Sequence, residues 1–199
     1  VNDAAELENI RVAYLGKKGS ITDLLKGMKD LSVEEKKDFG QKVNILKNIG
    51  GIKLTGRIEG FGRISCITTN IEEAIKGAEI VMVTTVANAH NAVAKSMAPF
   101  IEDNQVIILN PGRTCGALVF KQMLEKCGCT QHYYLGEAQT LVYACRIIEN
   151  GRVNVIGVKD DVLLSALPSS DTDYILSKIN PLYPCFKKAD NVLRTSLEN

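Results

Sequence analysis

The sequence predicts an α/β fold built on a parallel sheet, and three observations carry that prediction. Apolar runs rich in β-branched residues at 79–86 and 105–110 have the composition of strands covered on both faces. Helical patterns alternate with strand-like ones, at 71–76, 89–101, 117–126 and 171–179. Turn and cap signals such as Asn70, Gly77 and Pro111-Gly112 punctuate the boundaries.

Of 199 residues, 45% are hydrophobic and 24% charged, the balance of a globular chain. A net charge of +1 gives no bulk reason to expect nucleic acid or membrane as partner. No apolar run is long enough to span a membrane and nothing reads as a signal peptide, so the expected location is cytoplasmic. Six cysteines in a chain of this length read as reduced thiols rather than a disulfide scaffold. The C-x-C-x2-H run at Cys127, Cys129 and His132 lacks a fourth ligand nearby, and no metal site is expected. Val1 and Asn199 both read as cut ends.

Residues 1–47 are expected to form a helical, hairpin-like segment, and residues 48–199 a separate domain. Asp3 caps a first helix with Leu7, Ile10 and Tyr14 on one face. Gly16-Lys-Lys-Gly19 interrupts it, and Ser20-x-x-Asp23 reads as a capping box for a second helix with Ile21, Leu24, Leu25 and Met28 inward. Ser32-x-x-Glu35 opens a third, with Phe39, Val43 and Leu46 on one stripe.

After Asn48 the pattern changes. Glycines at 50, 51, 56, 60 and 62 break up short strand pieces at 52–55 and 63–68. Asn70 caps a helix over 71–76, the first long strand follows at 79–86, and a helix at 89–101 leads to the strand at 105–110. A helix at 117–126, strands at 133–137 and 153–159, and a helix at 171–179 complete the alternation.

In an open parallel sheet ligands sit beyond the carboxyl ends of the strands, so the loops leaving those ends hold the candidate site. Thr84, Thr85, Val86 and Ala87 follow the first long strand, where hydroxyls and backbone amides suit a ribose or phosphate at a helix start. His90 sits in the first turn of the next helix, where capping or packing competes with a role as base. Asn110, Pro111 and Gly112 leave the next strand in a tight turn, with Gly112 permitting close approach of a flat ring. Arg113, with Thr114 beside it, is placed to pair with a carboxylate. Glu137, Gln139 and Thr140, followed by Tyr143 and Arg146, form a third polar group at a strand end. The chain holds no G-x-G-x-x-G and no P-loop.

Several of these motifs stand in one collinear series. G-G-I-K-L-T-G-R-I-E-G-F-G-R-I at 50–64, I-E-E-A-I-K-G-A-E at 71–79 before V-M-V, and N-P-G-R-T-C-G-A-L at 110–118 open it. E-A-Q-T-L-V-Y-A-C-R at 137–146, S-A-L-P-S-S-D-T at 165–172, N-P-L-Y-P-C-F at 180–186 and N-V-L-R-T-S-L-E-N at 191–199 continue it. The series resembles the opine dehydrogenase family, which includes octopine and nopaline dehydrogenases. The resemblance implies an incomplete Rossmann-type parallel sheet with flanking helices, preceded by the short N-terminal helical segment. It also implies NAD or NADP as cofactor and reductive condensation of an amino acid with a 2-oxo acid. Thr84, Thr85, Val86, Ala87, His90, Asn110, Pro111 and Gly112 would line the cofactor; Arg113, Thr114, Glu137, Gln139 and Thr140 would face the substrate. Cys115 stands where the family usually has a second glycine. The family's glycine-rich first strand-turn-helix and its helical domain with the catalytic histidine have no counterpart, so a fragment inactive by itself is expected. In the family's strand order the absent first strand would lie beside the strand at 79–86, which predicts an exposed apolar edge and self-association.

L-E-N-I-R-V-A-Y-L-G-K-K-G-S-I-T-D-L-L-K-G-M-K-D-L-S-V-E-E-K-K-D-F-G-Q-K-V-N at 7–44 resembles something unrelated, the N-terminal helical arm of the phenylalanyl-tRNA synthetase alpha subunit. That resemblance implies tRNA contact, with Lys17, Lys18 and Lys26 as phosphate partners. A chimeric product without a function of its own is the third expectation.

Overall fold

A computed structural model describes residues 33–198, with side chains described from residue 41. The chain divides into two units, residues 1–48 and 49–199. Helix α1 (Val33–Ile49) contains all the described residues of the first unit and covers the third expected helix. The first two expected helices, with Lys17, Lys18 and Lys26, lie outside the described residues.

The second unit holds two sheets. In the smaller, β1 (Gly51–Gly56) is flanked by β2 (Gly60–Arg63), antiparallel, and by β7 (Arg152–Val158), parallel. β6 (Tyr143–Glu149) closes it antiparallel to β7, in the order β2-β1-β7-β6. The larger sheet runs β3 (Ile80–Val83), β4 (Gln105–Leu109), β5 (Tyr133–Ala138), β8 (Val162–Ala166), β9 (Phe186–Lys188). β3, β4 and β5 are parallel, as the alternation predicts; β8 runs antiparallel to β5 and β9 parallel to β8. Five helices surround this sheet: α2 (Ile71–Ile75), α3 (His90–Met97), α4 (Gly116–Lys126), α5 (Thr172–Ile179) and α6 (Val192–Leu197).

Every residue of β4 is buried, which is why its sequence is an unbroken apolar run rather than an alternation. Successive side chains still point to opposite faces. Ile107 and Leu109 join Val83, Ala94, Met97, Phe120 and Leu124 under α2, α3 and α4. Val106 and Ile108 join Leu164, Ile175, Ile179 and Phe186 under α5. At about 1.5–3 kcal/mol for each large apolar side chain taken from water, these two clusters hold the helices to the sheet.

The loop ends of the sheet are set by local chemistry. Asn70 caps α2 by accepting from the Glu72 amide at 3.0 Å. At the other end, the Gln105 side-chain amide donates to the carbonyls of Ile75 and Ala78, both at 2.8 Å, fixing α2 to the start of β4.

Two expectations need correction. The strand expected at 63–68 lies earlier, at Gly60–Arg63, as a fully exposed edge that pairs with β1. Tyr143 and Arg146 do not converge with Glu137, Gln139 and Thr140, because both stand in β6 of the other sheet. There the Arg146 guanidinium donates to the Cys145 carbonyl, and Tyr143 meets Tyr183 edge-on at 6.4 Å. Strands β6, β8 and β9 and helix α6 were not expected; β6 is exposed along its whole length and so carries no inside–outside alternation.

β3 is the edge of the larger sheet among the described residues. The Val106 amide bonds the Glu79 carbonyl and the Asn110 amide bonds the Val83 carbonyl, so odd-numbered positions face β4. Ile80 and Met82 therefore direct their amides and carbonyls away from the sheet.

Candidate functional site

The carboxyl ends of β3 and β4 open onto a cleft of about 230 Å³ lined by Thr84, Thr85, Val86, Ala87, Pro111, Arg113 and Leu141. Thr84, Thr85, Val86 and Ala87 are exposed there, between the end of β3 and the start of α3. The lining mixes the apolar surfaces of Val86, Pro111 and Leu141 with two hydroxyls and one guanidinium. Arg113 is exposed and forms no ion pair with any described residue. Leu141 is the lining residue that sequence reasoning missed, since a leucine after a polar turn carries no signal of its own.

Of the remaining candidates, His90, Asn110 and Glu137 are buried. His90 opens α3 and is 2% exposed, its ring edge-on to Phe120 at 6.3 Å. Burial pushes its pKa below the usual imidazole range, opposed by a hydrogen bond with the Thr85 backbone. That bond ties His90 to a residue of the cleft wall, while its Nε2 is buried with no partner. Asn110 is also buried; its amide donates to the Met82 sulfur at 3.3 Å and its Oδ1 has no partner.

Glu137 is fully buried. Its Oε2 accepts from the Ala117 amide at 2.7 Å. Its Oε1 accepts from the Ser196 hydroxyl at 2.6 Å and the Thr195 hydroxyl at 3.0 Å. Burial raises its pKa, and the bonds from Ser196, the Ala117 backbone and Thr195 work against that rise. A carboxylate at the first turn of α4 is favoured by the free amides and dipole there. It takes the place of a capping side chain, which Cys115, the residue before α4, does not supply.

The turn between β4 and α4 bends through two left-handed residues, Arg113 at φ 62° and Cys115 at φ 57°. Gly112 is enclosed against Glu137: a Cβ there would stand 2.2 Å from the Glu137 Cγ. The close approach that Gly112 permits is thus made by a side chain of the protein itself. Thr114 is exposed beside Arg113. Gln139 is half-buried, its side-chain amide donating to the Glu198 carbonyl. Thr140 accepts from the Lys159 ammonium at 2.8 Å. Thr195 and Ser196, which no candidate set included, complete the back of the site; only the Asn191 cap of their helix is visible in the sequence.

Parallel strands between helices, with a cleft at the strands' carboxyl ends, are the arrangement of a Rossmann-like dehydrogenase fold. Within that class the similarity is to opine dehydrogenases. Across 160 residues, 80% of this chain, identity with the opine dehydrogenase of Arthrobacter sp. (strain 1C) is 31%, covering 44% of that protein. The structure of octopine dehydrogenase with NADH and pyruvate superposes with a TM-score of 0.67 at 26% identity, covering 79% of this chain and 43% of that one. A ketopantoate reductase from Ralstonia eutropha shares the fold, with a TM-score of 0.57 at 16% identity over 77% of this chain and 47% of its own. The chain is therefore an opine dehydrogenase homologue over most of its length.

The N-terminal part has a different relative. The family described as aminoacyl tRNA synthetase class II, N-terminal domain, matches residues 2–53. Over 60 residues, 30% of this chain, identity with the phenylalanine–tRNA ligase alpha subunit of Shewanella putrefaciens is 56%, covering 18% of that protein. The chain thus spans less than half the length of the curated relatives it matches. No helix among the described residues is long and apolar enough to cross a membrane.

Proposed function

We propose that residues 49–199 form one wall of the NAD(P)H site in an oxidoreductase that condenses an amino acid with a 2-oxo acid reductively. The cleft at the ends of β3 and β4 is the observation that carries this reading. Its size suits one ring and ribose of a dinucleotide, below the roughly 300–1,000 Å³ of a complete small-molecule pocket. Thr84 and Thr85 offer hydroxyls to a ribose, and Val86, Ala87 and Pro111 an apolar face to a flat ring. The cofactor supplies a hydride when bound. Arg113 stands exposed at the same opening, with Thr114 next to it in the chain, and its guanidinium suits the carboxylate of a 2-oxo or amino acid. In this reading His90, Asn110 and Gly112 serve the cofactor wall from behind. Glu137, Gln139 and Thr140 shape the substrate side through the turns they tie down.

The 199 residues hold no G-x-G-x-x-G, the backbone cradle of a pyrophosphate, so this reading has the chain bind weakly and not turn over by itself. Titrating NADH and NADPH into the whole chain, followed by nicotinamide fluorescence, tests it. Saturable binding that Thr84→Val or Thr85→Val weakens several-fold is the expected result. No saturable binding of either nucleotide would overturn it.

A second reading rests on residues 2–53, the part matched by the synthetase family. There Lys17, Lys18 and Lys26 would contact tRNA phosphates. A tRNA gel shift abolished by changing Lys17 and Lys18 to alanine supports that reading; a shift indifferent to those changes sinks it.

A further inference from the structure

The cleft wall is held from behind by a helix that contributes nothing to the cleft itself. The turn carrying Arg113 contains two left-handed residues, and such a conformation is reached by L-residues only at a cost. Something must hold it. Ser196, in α6, is almost fully buried and touches the turn directly: its Oγ accepts from the Cys115 amide at 3.1 Å. The same hydroxyl donates to Glu137 Oε1 at 2.6 Å. Glu137 in turn accepts from the Ala117 amide and lies against Gly112. A single serine thus joins α6 to both ends of the turn, at Gly112 through Glu137 and at Cys115 directly.

We propose that Ser196 is a positioning residue, fixing the left-handed turn at Cys115 so that Arg113 stands at the cleft opening. Its hydroxyl suits the task because it accepts and donates at once. Alanine can do neither; it would leave the half-buried Cys115 amide without this acceptor and the buried Glu137 Oε1 with Thr195 but without Ser196. Thr195, beside it in α6, supports the carboxylate at Oε1 and bonds the Val192 carbonyl of its own helix. As regards ligand binding the proposal rests on the cofactor reading above; as regards the turn it stands on geometry alone.

The test is Ser196→Ala in the whole chain, read by amide hydrogen exchange and by NADH titration. The Cys115 and Ala117 amides should exchange at least 10-fold faster, while those of Ile107 and Ile108 in β4 stay protected. NADH affinity should fall several-fold. The same change made on a Cys115→Gly background should cost much less affinity, since glycine adopts the left-handed turn unaided. Equal losses in both backgrounds would reduce Ser196 to general support and overturn the proposal. So would an unchanged Cys115 amide, or a failure of Ser196→Ala to fold in both backgrounds. Should NADH bind neither form, the exchange comparison still decides the role of Ser196, and only the cofactor reading falls.

Discussion

The carboxyl group of Glu137 fills the space where a Cβ on Gly112 would stand, with its Cγ, Cδ and Oε2 at 2.2, 2.4 and 2.6 Å from that position. A glycine in β4's exit turn and a buried acid at the end of β5 are therefore one unit of packing. The first prediction follows: Gly112→Ala destabilises the chain by about 1–3 kcal/mol, as overpacking does. Thermal unfolding checks it, and combining Gly112→Ala with Glu137→Asp should cost less than the two single changes added together.

Cys115→Gly should do the opposite. Cys115 sits at φ 57° without a side-chain cap bond to α4, so its Cβ carries the left-handed penalty with no compensating contact of that kind. The gain is about 1 kcal/mol, read as a higher denaturant midpoint at unchanged slope. A lower midpoint would mean that the thiol packs better than its backbone suffers.

His90 and Glu137 should impose opposite pH dependences. The folded pKa of His90 is lowered, so its contribution is present above the ordinary imidazole value of 6.5 and is lost as pH falls through the folded value. The folded pKa of Glu137 is raised, so its contribution is present below the ordinary carboxylate range and is lost as pH rises through the folded value. Replacing His90 by leucine should remove the loss of stability on acidification below pH 6.5. Denaturant midpoints at a series of pH values decide this; a His90→Leu profile parallel to the parent's contradicts it.

The edge of β3 gives a fourth prediction. Among the described residues no strand meets the outward backbone groups of Ile80 and Met82, and an unpaired apolar edge pairs with other chains. The chain should show concentration-dependent association in sedimentation, and Met82→Pro should weaken it by removing one outward amide. Association unaffected by the proline would place the contact elsewhere, for which the exposed Ile147 and Ile156 of the smaller sheet are candidates.

The parallel core was legible because burial on both faces leaves a run such as Val106–Leu109 no polar position to alternate with. The Asn70 cap was legible because a side-chain oxygen before a helix has few other uses. β6 was not, since a strand exposed along its whole length has no hydrophobic period to read. At the site, spacing located the loops at Thr84–Ala87 and Asn110–Thr114, as strand ends must be followed by something. Spacing could not show that Glu137 faces inward. A glutamate at a strand end reads as facing a ligand until its three donors are seen, and two of those come from residues 58 and 59 positions away.

The distance along the chain between the parts of this turn has a temporal meaning. Cys115 waits for Ser196, 81 residues later, to receive its amide. Contacts so remote in sequence close late, after the local pairings around them. During synthesis from the N-terminus, β3, β4 and β5 would all have left the ribosome before α6 exists. The cleft's arginine-bearing lip thus matures after the sheet behind it, and a nascent chain would hold a formed sheet with an unfinished mouth.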